Sequence, residues 1–155
     1  MSWFPETSDA AARLLVQRGL GLVYLIAFLA ARNQFRGLLG SRGLTPIAAY
    51  VARVPFRRSP SIFHWRHSDR FFVGCCWVGA GLAAVQLLGL LDRAPIPVVM
   101  ASWFVLWALY LSIVNVGQLW YSFGWESLLC EAGFLAVFLG PADVATPGVV
   151  LVLFW

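Results

Sequence analysis

Apolar residues fall in long blocks along this chain, and the length of each block sets the first expectation. Arg13 to Ala31 reads as a membrane-spanning helix with an uninterrupted apolar core over Gly19–Ala31. Phe71–Leu91 and Ile96–Val116 each supply 21 residues, and a hydrocarbon layer of about 30 Å needs roughly 20 residues of helix. A fourth block, Trp125–Leu139, has 15 residues, about 22 Å as helix, too short to cross alone. Either it starts back near Leu119, giving a span over 119–139 that draws Gly124 and Glu126 into the membrane, or it begins from a broken opening. Gly140-Pro141 closes it. After a polar turn at Asp143, a further apolar run starts at Gly148 and stops at Trp155, an incomplete span in what reads as a truncated chain. The expected fold is all-α: a single transmembrane domain over residues 1–155, a polytopic helical bundle with about four spans (13–31, 71–91, 96–116 and 119–139) plus the start of a fifth.

The polar segments between the blocks are short, with one exception. Residues 1–12 form a lead in which Pro5-Glu-Thr-Ser-Asp9 suits a helix start. A signal peptide is the alternative for the first block. Acidic residues before it, Arg18 inside its start and the lack of a small-residue cleavage pattern speak against that. Asp92-Arg93-Ala-Pro95 is a tight turn that should return the third span antiparallel to the second. The exception is the connection over 32–70, which carries Arg32, Arg36, Arg42, Arg53, Arg57, Arg58, Arg66 and Arg70 against one acid, Asp69. Within it, Pro46–Pro55 fits a short helix lying in the interface. The positive-inside rule places this connection in the cytoplasm.

Composition agrees with a lipid-solvated chain. It is 61% hydrophobic and 12% charged, about half the charge of a soluble domain, with a mean hydropathy of +0.79. A net charge of +4 is carried by interfacial arginines, so membrane lipid headgroups are the expected partner and nucleic acid is not. His64 and His67 stand i, i+3 without a supporting carboxylate, so no metal site is expected. Cys75, Cys76 and Cys130 read as small hydrophobes in helices, with a vicinal redox pair at 75–76 as the other reading. Cys75, Gly79 and Ala83 recur every four residues, a small-residue stripe that lets a second helix approach closely. Gln86 is the one strongly polar residue of that span, and Trp103 and Trp107 of the next span read as packing.

Candidate chemistry concentrates in Asn115–Glu131, where Asn115, Gln118, Trp120, Tyr121, Trp125, Glu126 and Glu131 lie close together in sequence. A carboxylate at mid-bilayer costs on the order of 2.5–3.5 kcal/mol, so Glu131 requires a partner or a wet interior. Arg18, Gln17, Asn115 and Gln118 are the candidate partners. An Arg18–Glu131 staple between helices and a polar ligand or proton pocket are the two readings. Glu126 and Glu131 project roughly 140° apart on an ideal helix, which argues against a close acid/base pair. Trp120, Tyr121 and Trp125 read as interfacial anchors, with substrate grip as the alternative. No nucleotide loop, nucleophile elbow or zinc-ligand motif occurs, so no catalytic residue and no cofactor is assigned.

Two blocks resemble the lipase maturation factor family. The first is Gln17-Arg-Gly-Leu-Gly-Leu-Val-Tyr-Leu-Ile-Ala-Phe28, continuing into Asn33-Gln-Phe-Arg36, Leu38-Leu-Gly40 and Arg42-Gly-Leu44. The second is Ser112-Ile-Val-Asn-Val-Gly-Gln118 with Phe123-Gly-Trp-Glu-Ser-Leu-Leu129, Glu131-Ala-Gly-Phe-Leu135 and Phe138-Leu-Gly-Pro141. Pro60-Ser-Ile-Phe63 and Ser68-Asp-Arg70 fit the same pattern. The resemblance implies a multi-pass membrane factor without chemistry of its own. It would assist secreted lipase-type clients to fold and assemble, in the endoplasmic reticulum membrane of a eukaryote or the plasma membrane of a bacterium. Family members are longer and carry a C-terminal portion implicated in client contact, which this chain does not reach. A more distant likeness to vitamin K-dependent carboxylase-type membrane domains supports the alternative of a membrane enzyme or redox protein. Such a protein would act on a lipid or quinone through Glu131, Glu126 and Asn115. A small transporter or proton path through the same groups is a third reading.

Overall fold

A computed structural model of the chain describes residues 6–140; the incomplete span expected from 148 lies outside the described residues. Five α-helices make up this region: α1 (Glu6–Leu38), α2 (Ile47–Val51), α3 (Asp69–Leu88), α4 (Ile96–Val116) and α5 (Gly124–Ala136). Short 3-10 turns occupy Ile62–His64 and Gln118–Tyr121. Three segments, Ala11–Leu38, Asp69–Leu88 and Ile96–Val116, are long and apolar enough to cross a membrane. The chain is an integral membrane protein with an all-α bundle.

Helix α1 runs past Ala31, where its apolar block ends in the sequence. Its buried positions explain this: Arg13, Gln17, Gly21, Tyr24, Phe28, Ala31, Phe35 and Leu39 recur every three or four residues and form one continuous stripe. Arg32, Asn33, Gln34 and Arg36 lie on the exposed side of the same helix. The polar residues change the solvent of the outer face without interrupting the inner one.

Helix α3 begins where the Ser68 hydroxyl accepts from the Phe71 N–H. It ends at Leu88, three residues before the apolar block does, because Gly89 turns into the left-handed conformation (φ 74°). Its small-residue stripe, Cys75, Gly79 and Ala83, is buried. A Cβ at Gly79 would lie 2.4 Å from the Phe28 ring, so the stripe is the bed into which α1 settles. In lipid such close packing, rather than water exclusion, holds helices together. All three cysteines are buried free thiols.

Helix α4 follows the turn at residues 92–95 and packs between α3 and α5. Val99, Trp103, Leu106, Tyr110, Ile113 and Val116 form its buried seam. An aromatic cluster sits where α1 meets α4: Tyr24 and Phe28 each stand edge-on to Tyr110 at 5.6 Å between ring centroids, and Tyr24 lies 6.4 Å from Trp103. A second stack, Phe35, Phe72 and Phe63, has centroids 4.0 and 5.1 Å apart and ties α1 and α3 to the end of the long connection.

The fourth apolar segment differs most from a continuous span over 119–139. The chain makes a 3-10 turn at Gln118–Tyr121, breaks at Ser122-Phe123, and only then starts α5, which has 13 residues, about 20 Å of helix. The break originates at Gln118, whose φ of 53° cannot belong to a right-handed helix. Leu119, Trp120 and Tyr121 are therefore turn residues. At the other end of α5 the chain leaves through Gly140, again left-handed (φ 67°).

Candidate functional site

The polar residues of the 115–131 stretch divide into three groups once folded. Asn115, Gln118 and Trp120 reach across to the Arg-rich connection. Asn115 Nδ2 donates to the Pro60 carbonyl at 2.7 Å, and Gln118 Nε2 donates to the Thr45 carbonyl at 2.9 Å. The Trp120 indole donates to Thr45 Oγ1 at 2.9 Å. From the other side Ser59 Oγ donates to the Asn115 carbonyl at 2.7 Å and Ser61 Oγ to the Ser112 carbonyl at 2.8 Å. Five side chains thus clamp residues 45–61 onto the last turn of α4 and the 3-10 turn that follows it. Thr45 Oγ1 also donates to the Leu38 carbonyl, and His64 Nε2 donates to the Val54 carbonyl at 3.0 Å. The imidazole spends that nitrogen on the backbone, and no group of three His, Cys, Asp or Glu residues gathers around a metal position among the described residues.

The clamp explains why a glutamine tolerates positive φ. A non-glycine residue in the left-handed region costs about 1–2 kcal/mol, and the Gln118 amide bond to Thr45 holds it there. Trp120 is half-buried and hydrogen-bonded into the fold, beyond what an interfacial anchor requires. Tyr121 is buried, and that burial pushes its phenol up from the ordinary tyrosine value, keeping it a neutral group. Trp125 projects outward at 65% exposure, as an interfacial anchor would.

The second group surrounds Glu126. Its carboxylate accepts from the Tyr110 hydroxyl and, at 3.0 Å, from the Trp125 indole N–H. Trp120, Tyr121, Trp125 and Glu126 line a groove of about 500 Å³ with Gln34 and Tyr110, against the outward face of α1 at Ile26 and Ala30. Tyr110 and Gln34 were not singled out from the sequence. A usable signal existed for Tyr110, since it and Glu126 lie eight residues either side of Gln118, facing each other across an antiparallel turn.

The remaining residues, Arg18 and Glu131, are not brought together, which overturns the Arg18–Glu131 staple. Arg18 donates to the Gln86 carbonyl and forms an ion pair with Asp92. Helix α5 buries Leu129, Cys130, Gly133 and Ala136, and Glu131 lies about 200° from Gly133, on the opposite, exposed face. Asn115 and Gln118, also considered as its partners, are committed to the connection. Gln17, another candidate, donates to the Gly140 carbonyl at 2.8 Å. Arg13, one turn earlier, donates to the Leu139 carbonyl at 3.0 Å. Tyr24 completes this seam by donating to the Leu129 carbonyl at 3.0 Å. It can do so because position 133 is glycine: a Cβ there would fall 1.8 Å from the Tyr24 oxygen. Gln86, the polar residue of α3, donates to Ser102 Oγ at 2.7 Å, and the Ser102 hydroxyl in turn donates to the Val99 carbonyl at 2.7 Å.

Comparison with known proteins matches these same residues. The family model described as the lipase maturation factor transmembrane domain fits residues 11–154. Mouse lipase maturation factor 1 is 41% identical over 137 residues, covering 83% of this chain and 24% of its own. The human protein of that name is 36% identical over 137 residues, with the same coverage of each chain. Human lipase maturation factor 2 is 32% identical over 147 residues, covering 86% of this chain and 20% of its own. The chain spans about a quarter or less of the length of these relatives. No solved structure matches it. With nearly its whole length fitting the family model, the chain belongs to the lipase maturation factor family.

Proposed function

We propose that this chain is the membrane-embedded scaffold of a maturation and assembly factor for secreted proteins, lipases among them, acting by contact rather than by catalysis. The family relationship carries this reading, through relatives whose names specify lipase maturation. The use of the polar residues supports it. Asn115, Gln118 and Arg18 are each spent on carbonyl groups or an ion pair within the fold. What the scaffold presents is a clamped, arginine-bearing connection in which Arg42, Arg53, Arg57, Arg58 and Arg66 are exposed. Such a face suits the anionic headgroups of the cytoplasmic leaflet. The factor would reside in the endoplasmic reticulum membrane of a eukaryotic cell or the plasma membrane of a bacterium. The connection would face the cytoplasm by charge.

Deleting the gene from its source organism tests the function. Secreted lipases should lose activity while their transcripts persist, and the wild-type gene should restore them. Secreted lipases that remain folded and active in the deletion strain would contradict the reading. Orientation is tested separately by placing a cysteine at Ser41 or Arg57 and labelling with a membrane-impermeant thiol reagent. Labelling from the side opposite the cytoplasm would reverse the assignment.

A further inference from the structure

The groove beside Glu126 combines features that the scaffold role does not use. Glu126 carries a carboxylate at the membrane end of the bundle, and both hydrogen bonds it accepts come from neutral donors, Tyr110 and Trp125. The ion pair among the described residues is Arg18–Asp92, so no cation of the described fold neutralises Glu126. This stands out because it occurs at the arginine-rich end. Arg32, the nearest in sequence to the groove wall, lies over the Trp77 ring at 4.7 Å instead. Around the carboxylate, Trp120, Tyr121 and Trp125 contribute aromatic surface to the same cavity of about 500 Å³. Trp125 turns its N–H edge to the carboxylate and stacks on Phe123 with centroids 5.0 Å apart, and a carboxylate in a cavity lined by aromatic rings attracts an ammonium group by charge and by the ring quadrupoles together. One wall is the apolar outer face of α1, with Ile26 58% exposed, and this wall continues along a membrane-spanning helix.

We propose that this groove is a binding site for a zwitterionic phospholipid, its headgroup ammonium held between Glu126 and the aromatic rings and an acyl chain lying against Ile26 and Ala30. The occupant is a lipid rather than a soluble amine because the apolar wall lies along a membrane span, where an acyl chain resides. It is zwitterionic because the polar centre of the groove is negative, whereas an anionic lipid would be drawn to the arginines outside it. The proposal does not depend on the maturation role.

The test uses the full chain purified in detergent, with retained lipid counted by native mass spectrometry. Phosphatidylcholine, phosphatidylglycerol and diacylglycerol with the same acyl chains are supplied in turn. The wild type should retain phosphatidylcholine about tenfold better than either of the others. Glu126→Gln keeps the shape of the side chain and can still accept from the Trp125 indole while donating to the Tyr110 oxygen, but it removes the charge, and it should abolish that preference. Trp125→Leu, at a mostly exposed position, should lower it several-fold and serves as the test if Glu126→Gln does not fold. Equal retention of the three lipids, a preference for phosphatidylglycerol, or a phosphatidylcholine preference that survives both substitutions would each overturn the proposal. So would displacement of the bound lipid by a lysine-rich peptide at stoichiometric amounts, which would mark the groove as a protein-docking site.

Discussion

The two ends of this bundle are both tied together by polar side chains, but by different means. At the end where α1 begins, Arg18 reaches a carbonyl in the last turn of α3, Arg13 and Gln17 reach carbonyls just past α5, and Arg18 adds the ion pair with Asp92. Cations at helix C-termini satisfy unpaired carbonyls and the negative end of the dipole at once. At the opposite end the ties between the connection and the end of α4 are neutral: amides, hydroxyls and an indole hold a long irregular segment in place, while Ser41 is held by the Asp69 carboxylate. The first arrangement locks rods to one another. The second fixes a surface that has no regular structure of its own. Both use residues of the blocks that carry the family resemblance, so those blocks record how the domain is assembled.

The contrast predicts a graded response to substitution. Arg18→Ala removes a charge-assisted bond and an ion pair together and leaves Asp92 without its partner, so it should cost about 2 kcal/mol of stability. Thermal unfolding in detergent measures this. Arg18→Lys should recover only part of the loss, because an ammonium cannot span both acceptors as a guanidinium fork does. At the neutral end, Gln118→Ala should cost about 1 kcal/mol, through the lost amide bond and a retained left-handed backbone. Gln118→Gly should melt closer to wild type, since glycine accepts φ of 53° without strain. If alanine and glycine behave alike at 118, backbone strain has no part in the clamp.

Smaller effects sharpen the comparison further. Trp120→Phe and Thr45→Val each remove one side of the indole–hydroxyl bond, and a double-mutant cycle should give a coupling of about 0.5–1 kcal/mol. Additive effects would mean that the bond carries no energy. Glu131→Gln should change stability by less than about 0.5 kcal/mol, because the side chain faces away from the described bundle. A loss of several times that amount would show that Glu131 has a partner.

Most of the architecture was legible from block lengths and turn residues. The spans of α3 and α4 follow from apolar length and the turn between them from Asp92–Pro95, whereas Gly89 ends α3 short of its apolar block. The buried stripe of Cys75, Gly79 and Ala83 follows from its four-residue spacing. Helix α1 extends further than its apolar block, since Phe35 and Leu39 continue an inner stripe that a count of hydrophobicity averages away. The polar residues were legible as important but not in their roles. An asparagine or glutamine between apolar blocks looks the same in sequence whether it meets a carboxylate or a backbone carbonyl. The acceptors at Thr45 and Pro60 lie more than fifty residues away, in a connection with no periodicity to place it. The apolar segment around Glu131 predicts burial, whereas the face that turns inward is decided by Gly133 admitting Tyr24. That is a packing fact with no local signal.

Asn115, Gln118 and Trp120 hold the arginine-rich connection against the end of α4. Limited trypsin digestion of the full chain in lipid nanodiscs, with cleavage sites read by mass spectrometry, tests it directly. The variant Asn115→Ala/Gln118→Ala should be cut faster at Arg42, Arg53, Arg57 and Arg58, while Arg13 and Arg18 at the other end stay as protected as in the wild type. Unchanged cleavage across residues 42–58, or an equal rise at both ends, would contradict the account.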